Sequence, residues 1–213
     1  GSGFLASVLA GAVSEEGRYS PAVLELGKGG LYEVLGMERR FAGRPYFSFH
    51  QAVTGSFRIR GQVNEDRGVN WMLLPRGEEL EKLDLYEKLR LVENAAGDVV
   101  FCRLSGVPRE ELGRLLRDMD SILALIDPLP SAVAEGHDMA CYLRSLGLPI
   151  HYVINKFNAG VDRRELLRYL KIKRPFYLPL LSRYKVQILS LHRHPERKWH
   201  PSTGVCLSFH RSY

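Results

Sequence analysis

Several groups of residues in this sequence have types and spacings that could do chemistry. Asn155-Lys156-Phe157-Asn158 has the form of an Asn-Lys-x-Asp nucleobase motif. Guanine selectivity in that motif needs a carboxylate to accept from two donors on the base edge, and Asn158 is an amide, so GTP specificity is disfavoured. Asp127 ends the apolar run 121–126, and open α/β sheets bind ligands at the carboxyl ends of their strands. Its neighbours Pro128 and Pro130 equally suit a rigid turn. Lys28, Gly29 and Gly30 could form a small anion nest from backbone amides, although glycines after a strand more often only make the turn. His192, His194, His200 and Cys206 are metal-ligand types. Their spacing matches no closed zinc module, and a solvated basic tail is the simpler reading.

Aromatic and basic residues interleave at Arg39, Arg40, Phe41, Arg44, Tyr46, Phe47, Phe49, Phe57, Arg58 and Arg60. Such a pattern suits a single-stranded nucleic-acid surface, and a connection tucking its aromatics into the core is the plainer account. Cys102 lies mid-strand in apolar company and is expected to be buried and inert. Spacing alone proposes no Ser-His-Asp or Cys-His arrangement, and no catalytic residue is assigned.

The elements that must position these residues follow from the patterning. The chain has 213 residues, with 45% hydrophobic and 25% charged, which suits a soluble α/β domain and is too apolar for disorder. No apolar run reaches the roughly 18 residues a membrane-spanning helix needs. The apolar stretch Phe4–Val13 has no basic residue before it, so it reads as a core helix and not a secretory signal. Three widely spaced cysteines, Cys102, Cys141 and Cys206, argue against a disulfide framework and for a reducing, cytoplasmic location. The net charge of +6 is concentrated: residues 181–213 hold six Lys/Arg against the single acid Glu196, leaving residues 1–180 at a net +1.

From residue 4 to 180 helical and strand patterns alternate, the signature of a parallel sheet covered by helices. Helices are expected at 4–15, 78–94 (with Leu80, Leu83, Tyr86, Leu89 and Val92 on one face), 108–119, 131–146 and 162–170. Residues 31–35 suit one or two helical turns. Strands are expected at 22–26, 69–74, 98–104, 121–126, 149–154 and 175–180. Pro108 suits a first helical position, Ser131 a cap, and Asp162-Arg-Arg-Glu165 a capping box. Residues 39–68 are irregular, and beyond 180 the rhythm stops, leaving a hairpin or disorder open.

Four stretches resemble the ParA/MinD-type P-loop ATPases, most closely the TadZ-like proteins of that superfamily. Asp98-Val-Val-Phe-Cys-Arg-Leu-Ser-Gly106 is similar to the family's Walker B strand, and Asp120–Val133 to the strand and proline loop that follow. His151-Tyr-Val-Ile-Asn-Lys-Phe-Asn158 resembles the strand whose terminal Asn lies near the nucleotide base, and Val161–Leu166 opens the next helix in register. The segment 4–30 resembles the family's first helix and second strand. The resemblance implies an α/β three-layer sandwich with a mostly parallel sheet, lacking its first strand. The resemblance covers roughly 1–35 and 69–180; the expected domain spans 1–180, with 181–213 as a basic tail, a possible hairpin or disordered. The resemblance also implies remnant nucleotide contacts at Gly3, Arg103, Asp127, Asn155 and Lys156. For Asn155 a polar cap on a strand-to-helix loop is the plainer alternative.

Departures from the family pattern shape the functional expectation. The sequence contains no G-x-x-x-x-G-K-[ST], whose amides, lysine and hydroxyl serve phosphates and Mg²⁺. Gly1-Ser2-Gly3 reads as a linker remnant, or less readily as the stub of a degenerate phosphate loop. Arg103 stands where the family pattern asks for a metal-organising Asp, and a cationic side chain without an acceptor cannot ligate Mg²⁺. The expectation is a degenerate ATPase-like protein that binds or positions a partner, of the pilus-assembly or cell-pole localisation type. It would hydrolyse no ATP and carry no cofactor. One alternative is a ParA/MinD-type ATPase truncated at its N-terminus, with ATP and Mg²⁺ bound once the missing loop is supplied. Another is a nucleic-acid binder working through 181–213. Whether the chain is an enzyme stays open at this point. The partner is expected to be another protein or a second copy, and Lys185–Leu191 or Gly204–Phe209 is expected to pair beside the missing strand's slot.

Overall fold

The computed structural model describes residues 2–27, 29–41, 63–73 and 83–179. They group into two compact units, the first within residues 1–120 and the second beginning at Ser121. Both are built from parallel strands with helical connections, the P-loop NTPase-like α/β fold expected. Expectations for Lys28, residues 44–60, the start of the 78–94 helix and everything from 180 onward, including His192, His194, His200 and Cys206, lie outside the described residues.

In the first unit, α1 (Ser2–Glu16) precedes β1 (Pro21–Glu25), every residue of which is buried. A continuous apolar strand of this kind belongs inside a parallel sheet covered on both faces. Two short helices, α2 (Leu31–Val34) and α3 (Met37–Arg40), follow, and then the hairpin β2 (Asn64–Asp66) and β3 (Val69–Met72). The hairpin turn is Arg67-Gly68 with φ of 52° and 71°. Two positive φ values make the tight turn that matches strand twist. The Ser14 hydroxyl on α1 donates to the Arg67 carbonyl at 2.9 Å, fixing the turn to the helix. The helix α4 (Leu85–Glu93), β4 (Val99–Arg103) and α5 (Arg109–Arg117) complete the unit. The sheet order is β2-β3-β1-β4, with β1 parallel to both β3 and β4 and only β2 antiparallel. Ala10, Val13, Val23, Leu31, Met37, Trp71, Val99 and Phe101 form its core.

The second unit runs β5 (Ile122–Ile126), α6 (Pro130–Ser145), β6 (Ile150–Phe157), α7 (Arg163–Leu170) and β7 (Phe176–Pro179). Its three strands are all parallel in the order β5-β6-β7. Ile126, Ala140, Ile154, Leu166, Leu170 and Ile172 make its core.

Local chemistry moved some boundaries from those expected. The helix α4 begins at Leu85 because Asp84 and Glu87 form a reciprocal capping box, each side chain bonding the other's backbone N–H at 2.8 Å. Its buried face is therefore Lys88, Leu91 and Val92, and Tyr86 is 74% exposed instead of inward. Lys88 is tolerated inside because its ammonium reaches Glu111 of α5 at 2.6 Å. Pro130, not a capping Ser131, opens α6, and Pro108 stands just before α5 as its N-cap. At α7 the Asp162 carboxylate accepts from the amides of Arg164 and Glu165, as a cap should. None of the described helices is long and apolar enough to cross a membrane.

Candidate functional site

Parallel β1 and β4 end together, with Glu25 and Arg103 as register partners. Glu25 is fully buried, and a buried carboxylate requires a counter-charge and donors. The Arg103 guanidinium donates to Glu25 Oε1 through Nη1, and the Leu31 amide donates to the same oxygen at 3.3 Å. Arg103 Nε also donates to Ser2 Oγ at 3.3 Å, and Ser2 Oγ lies 3.0 Å from Ser105 Oγ. The N-terminus of α1 and the end of β4 are thus joined through Arg103 and two hydroxyls.

Glycines bring these segments close. A Cβ on Gly27 would lie 2.1 Å from the Ser105 carbonyl oxygen, so only glycine lets the turn after β1 press against the turn after β4. Gly3 is buried inside the first turn of α1, facing Leu31. It lies in the helix itself, since α1 begins at Ser2. Gly29 and Gly30 lead into α2, where Gly30 adopts φ 118°, and the first amide of that turn serves Glu25.

Arg103 offers donors only, and its guanidinium is paired with the Glu25 carboxylate. The Glu25 partnership was missed from sequence. Its signal was an acid closing the otherwise apolar strand Pro21-Ala-Val-Leu-Glu25.

The second unit gathers its own cluster at the carboxyl ends of β5 and β6. Asp127 accepts from Asn155 Nδ2 at 2.7 Å and from Lys156 Nζ at 2.5 Å. Burial alone would raise the Asp127 carboxyl, but the hydrogen bonds from Lys156 and Asn155 and the Lys156 charge outweigh it and hold it below its ordinary value. Lys156 sits at φ 55°, where the register between β6 and β7 shifts between Ile154 and Phe157. That bulge lets neighbouring residues 155 and 156 both reach Asp127, although side chains of an unbroken strand alternate between faces. Asn155 lies within β6, not on a strand-to-helix loop, and its amide is committed to Asp127. Asn158 closes a turn instead, accepting from the Gly160 amide at 2.9 Å.

A feature hidden by the neutral total for residues 1–180 lies on and after α7. Arg163, Arg164, Arg168, Lys171, Lys173 and Arg174 are all exposed, against the single acid Glu165 in the same stretch. Arg163 stacks over the Tyr177 ring at 4.6 Å and donates to its hydroxyl at 2.8 Å.

Cys102, in β4, is half-buried rather than fully buried as expected, and the burial of its thiol pushes it up to about 12.

No protein-family model and no curated protein matches the sequence. Solved structures do match the fold. A plasmid partition protein from Borrelia burgdorferi is 16% identical with a TM-score of 0.64, covering 87% of each chain. A ParA family ATPase from Chlorobium tepidum is 14% identical with a TM-score of 0.65, covering 87% of this chain and 80% of that one. The cell division ATPase MinD of Pyrococcus furiosus is 15% identical with a TM-score of 0.65, covering 89% and 82%. The fold is that of the P-loop NTPase class, and within that class it is the ParA/MinD-type fold.

Proposed function

We propose that the chain is a ParA/MinD-type protein that binds and positions a partner without hydrolysing ATP, the role of TadZ-like proteins in localising pilus machinery. The observation that carries this reading is the Glu25–Arg103 ion pair. It puts an internal cation at the strand end where, on the family pattern, phosphoryl transfer would use a carboxylate to organise Mg²⁺. The partner is a protein or a second copy of the chain. The matched structures include a MinC:MinD cell division protein complex from Aquifex aeolicus, at 13% identity and a TM-score of 0.62. Calorimetric titration with ATP and Mg²⁺ tests the reading. The expected result is no saturable heat, and micromolar binding with release of phosphate would overturn it.

A second reading is a ParA/MinD-type ATPase whose first strand and phosphate loop are supplied by sequence preceding this one. It is favoured by matches that cover 80–87% of the ATPases' and partition protein's own chains. Adding an upstream strand and loop would then confer turnover, despite Arg103. A third reading, nucleic-acid binding through 181–213, gains support from the exposed basic residues of α7 and the turn after it.

A further inference from the structure

The helix α7 carries more positive charge than the fold itself accounts for. Arg163 stacks over Tyr177, and cations at Arg168 in the last turn and Lys171 at the C-cap complement the helix dipole. Arg164 has neither role. It stands in the first turn, where the dipole disfavours a cation, and one turn from Arg168, where like charges repel. Asp162 spends its carboxylate on the amides of Arg164 and Glu165. Among the described residues, Arg164, Arg168, Lys171, Lys173 and Arg174 form no ion pair.

Arg164, Arg168 and Lys171 follow one another at spacings of four and three residues, which sets them along one helical stripe. The turn into β7 adds Lys173 and Arg174, both exposed. Lys171 and Arg174 adopt φ of 53° and 51°, a conformation that glycine would take with less strain. From α6, Arg144 Nη1 donates to the Lys171 carbonyl at 3.2 Å, so a further exposed cation is fixed against this turn. Tyr169, 51% exposed, has its ring held against His137 of α6 with centroids 5.3 Å apart. The turn 171–174 enters β7 at its amino end, whereas Asp127 and Lys156 lie toward the carboxyl ends of β5 and β6. The basic turn is therefore separate from that cluster.

We propose that this surface docks an acidic helix of a partner protein, a proposal that rests on the partner-binding reading above and names the partner's chemistry. Carboxylates one turn apart on a second helix repeat at about 5–6 Å, the spacing of the Arg164–Arg168–Lys171 stripe, so each cation meets one carboxylate. Guanidinium groups suit this role because they hold carboxylates through two parallel hydrogen bonds. An acid seated between Arg164 and Arg168 also relieves their repulsion. The exposed Tyr169 next to Arg168 supplies the aromatic contact in which protein–protein interfaces, with arginine, are enriched.

Fluorescence anisotropy with the full chain and a labelled alanine-rich helical peptide carrying glutamates along one face tests the proposal. The control peptide has the same composition with its glutamates spread around the helix. No nucleotide is present, so failure here leaves the wider partner-binding reading to its own ATP titration. The striped peptide is expected to bind at least about tenfold more tightly than the control. Arg164→Glu puts an acid in the first turn, which favours the helix, and is expected to weaken the striped peptide about fivefold. Arg164→Glu with Arg168→Glu is expected to prefer a peptide with lysines on that face. Equal binding of the two glutamate peptides, or an affinity unchanged by Arg164→Glu, overturns the proposal. A short DNA duplex or phosphatidylserine vesicles binding as tightly as the striped peptide at about 0.15 M salt also overturns it.

Discussion

Glu25 and Arg103 face each other at the carboxyl ends of two parallel strands, one fully buried and the other donating its guanidinium to it. The pair ties the ends of β1 and β4 together through a buried charge. Removing one partner leaves the other charge buried and alone. Arg103→Ala is expected to cost about 3–5 kcal/mol, whereas the double replacement Glu25→Leu with Arg103→Met should recover most of that loss. Urea unfolding of the single and double variants measures both. Additive losses would show that the two residues do not act as a pair.

Gly27 sits where any side chain would collide with backbone, its Cβ position 2.1 Å from the Ser105 carbonyl oxygen. Backbone cannot rotate aside as a side-chain tip can. Gly27→Ala is expected to destabilise by about 1–3 kcal/mol or more, read as a lowered urea midpoint. Gly11→Ala, with nothing within 4 Å of the new Cβ, is the matched control and should be neutral or slightly stabilising.

Asp127 gives the second unit an acid dependence. Its folded carboxyl titrates below the ordinary value of 3.8, so its contribution is whole above the unfolded value and is lost as pH falls through the lower folded one. Lys156 is 51% exposed, so the contribution is about 1 kcal/mol or less and shrinks with salt. Thermal melts from pH 5 to pH 2 should show a steeper loss for the native chain than for Asp127→Asn. Parallel curves would remove Asp127 as the source.

The exposed basic residues around α7 predict a salt-dependent affinity for polyanions. Arg164→Glu combined with Lys173→Glu should weaken binding to duplex DNA of any sequence. Each lost phosphate contact should also reduce the salt slope by about 0.9. Fluorescence anisotropy over a salt series reads both quantities. Slopes unchanged by the two substitutions would exclude this surface.

Much of the fold was legible because parallel strands announce themselves as short apolar runs. β1, β3, β4, β5, β6 and β7 all fall within or beside the expected stretches. The hairpin strand β2 was not legible, since Asn64-Glu-Asp66 is polar and owes its pairing to the positive φ of Arg67 and Gly68. Lys88 was unreadable as a buried residue because its burial depends on Glu111, 23 residues away in another helix. The candidate sites divide along the same line. Asp127, Asn155 and Lys156 were each singled out, but their meeting depends on a bulge in β6 that no periodicity encodes. Arg103 was recognised as a departure from the family pattern, while Glu25 was passed over, because strand register alone makes the two neighbours.

The close approach at Gly27 has a consequence for descent as well as for folding. Residues 25 and 103 can change together, acid for apolar and base for apolar, losing their own pair and the acceptor Glu25 offers the Leu31 amide. Position 27 has no such freedom while Ser105 holds its place. Among sequences sharing this ancestry, glycine at 27 should therefore persist after the charges beside it have drifted, making it a better marker of kinship than the residues that look chemical.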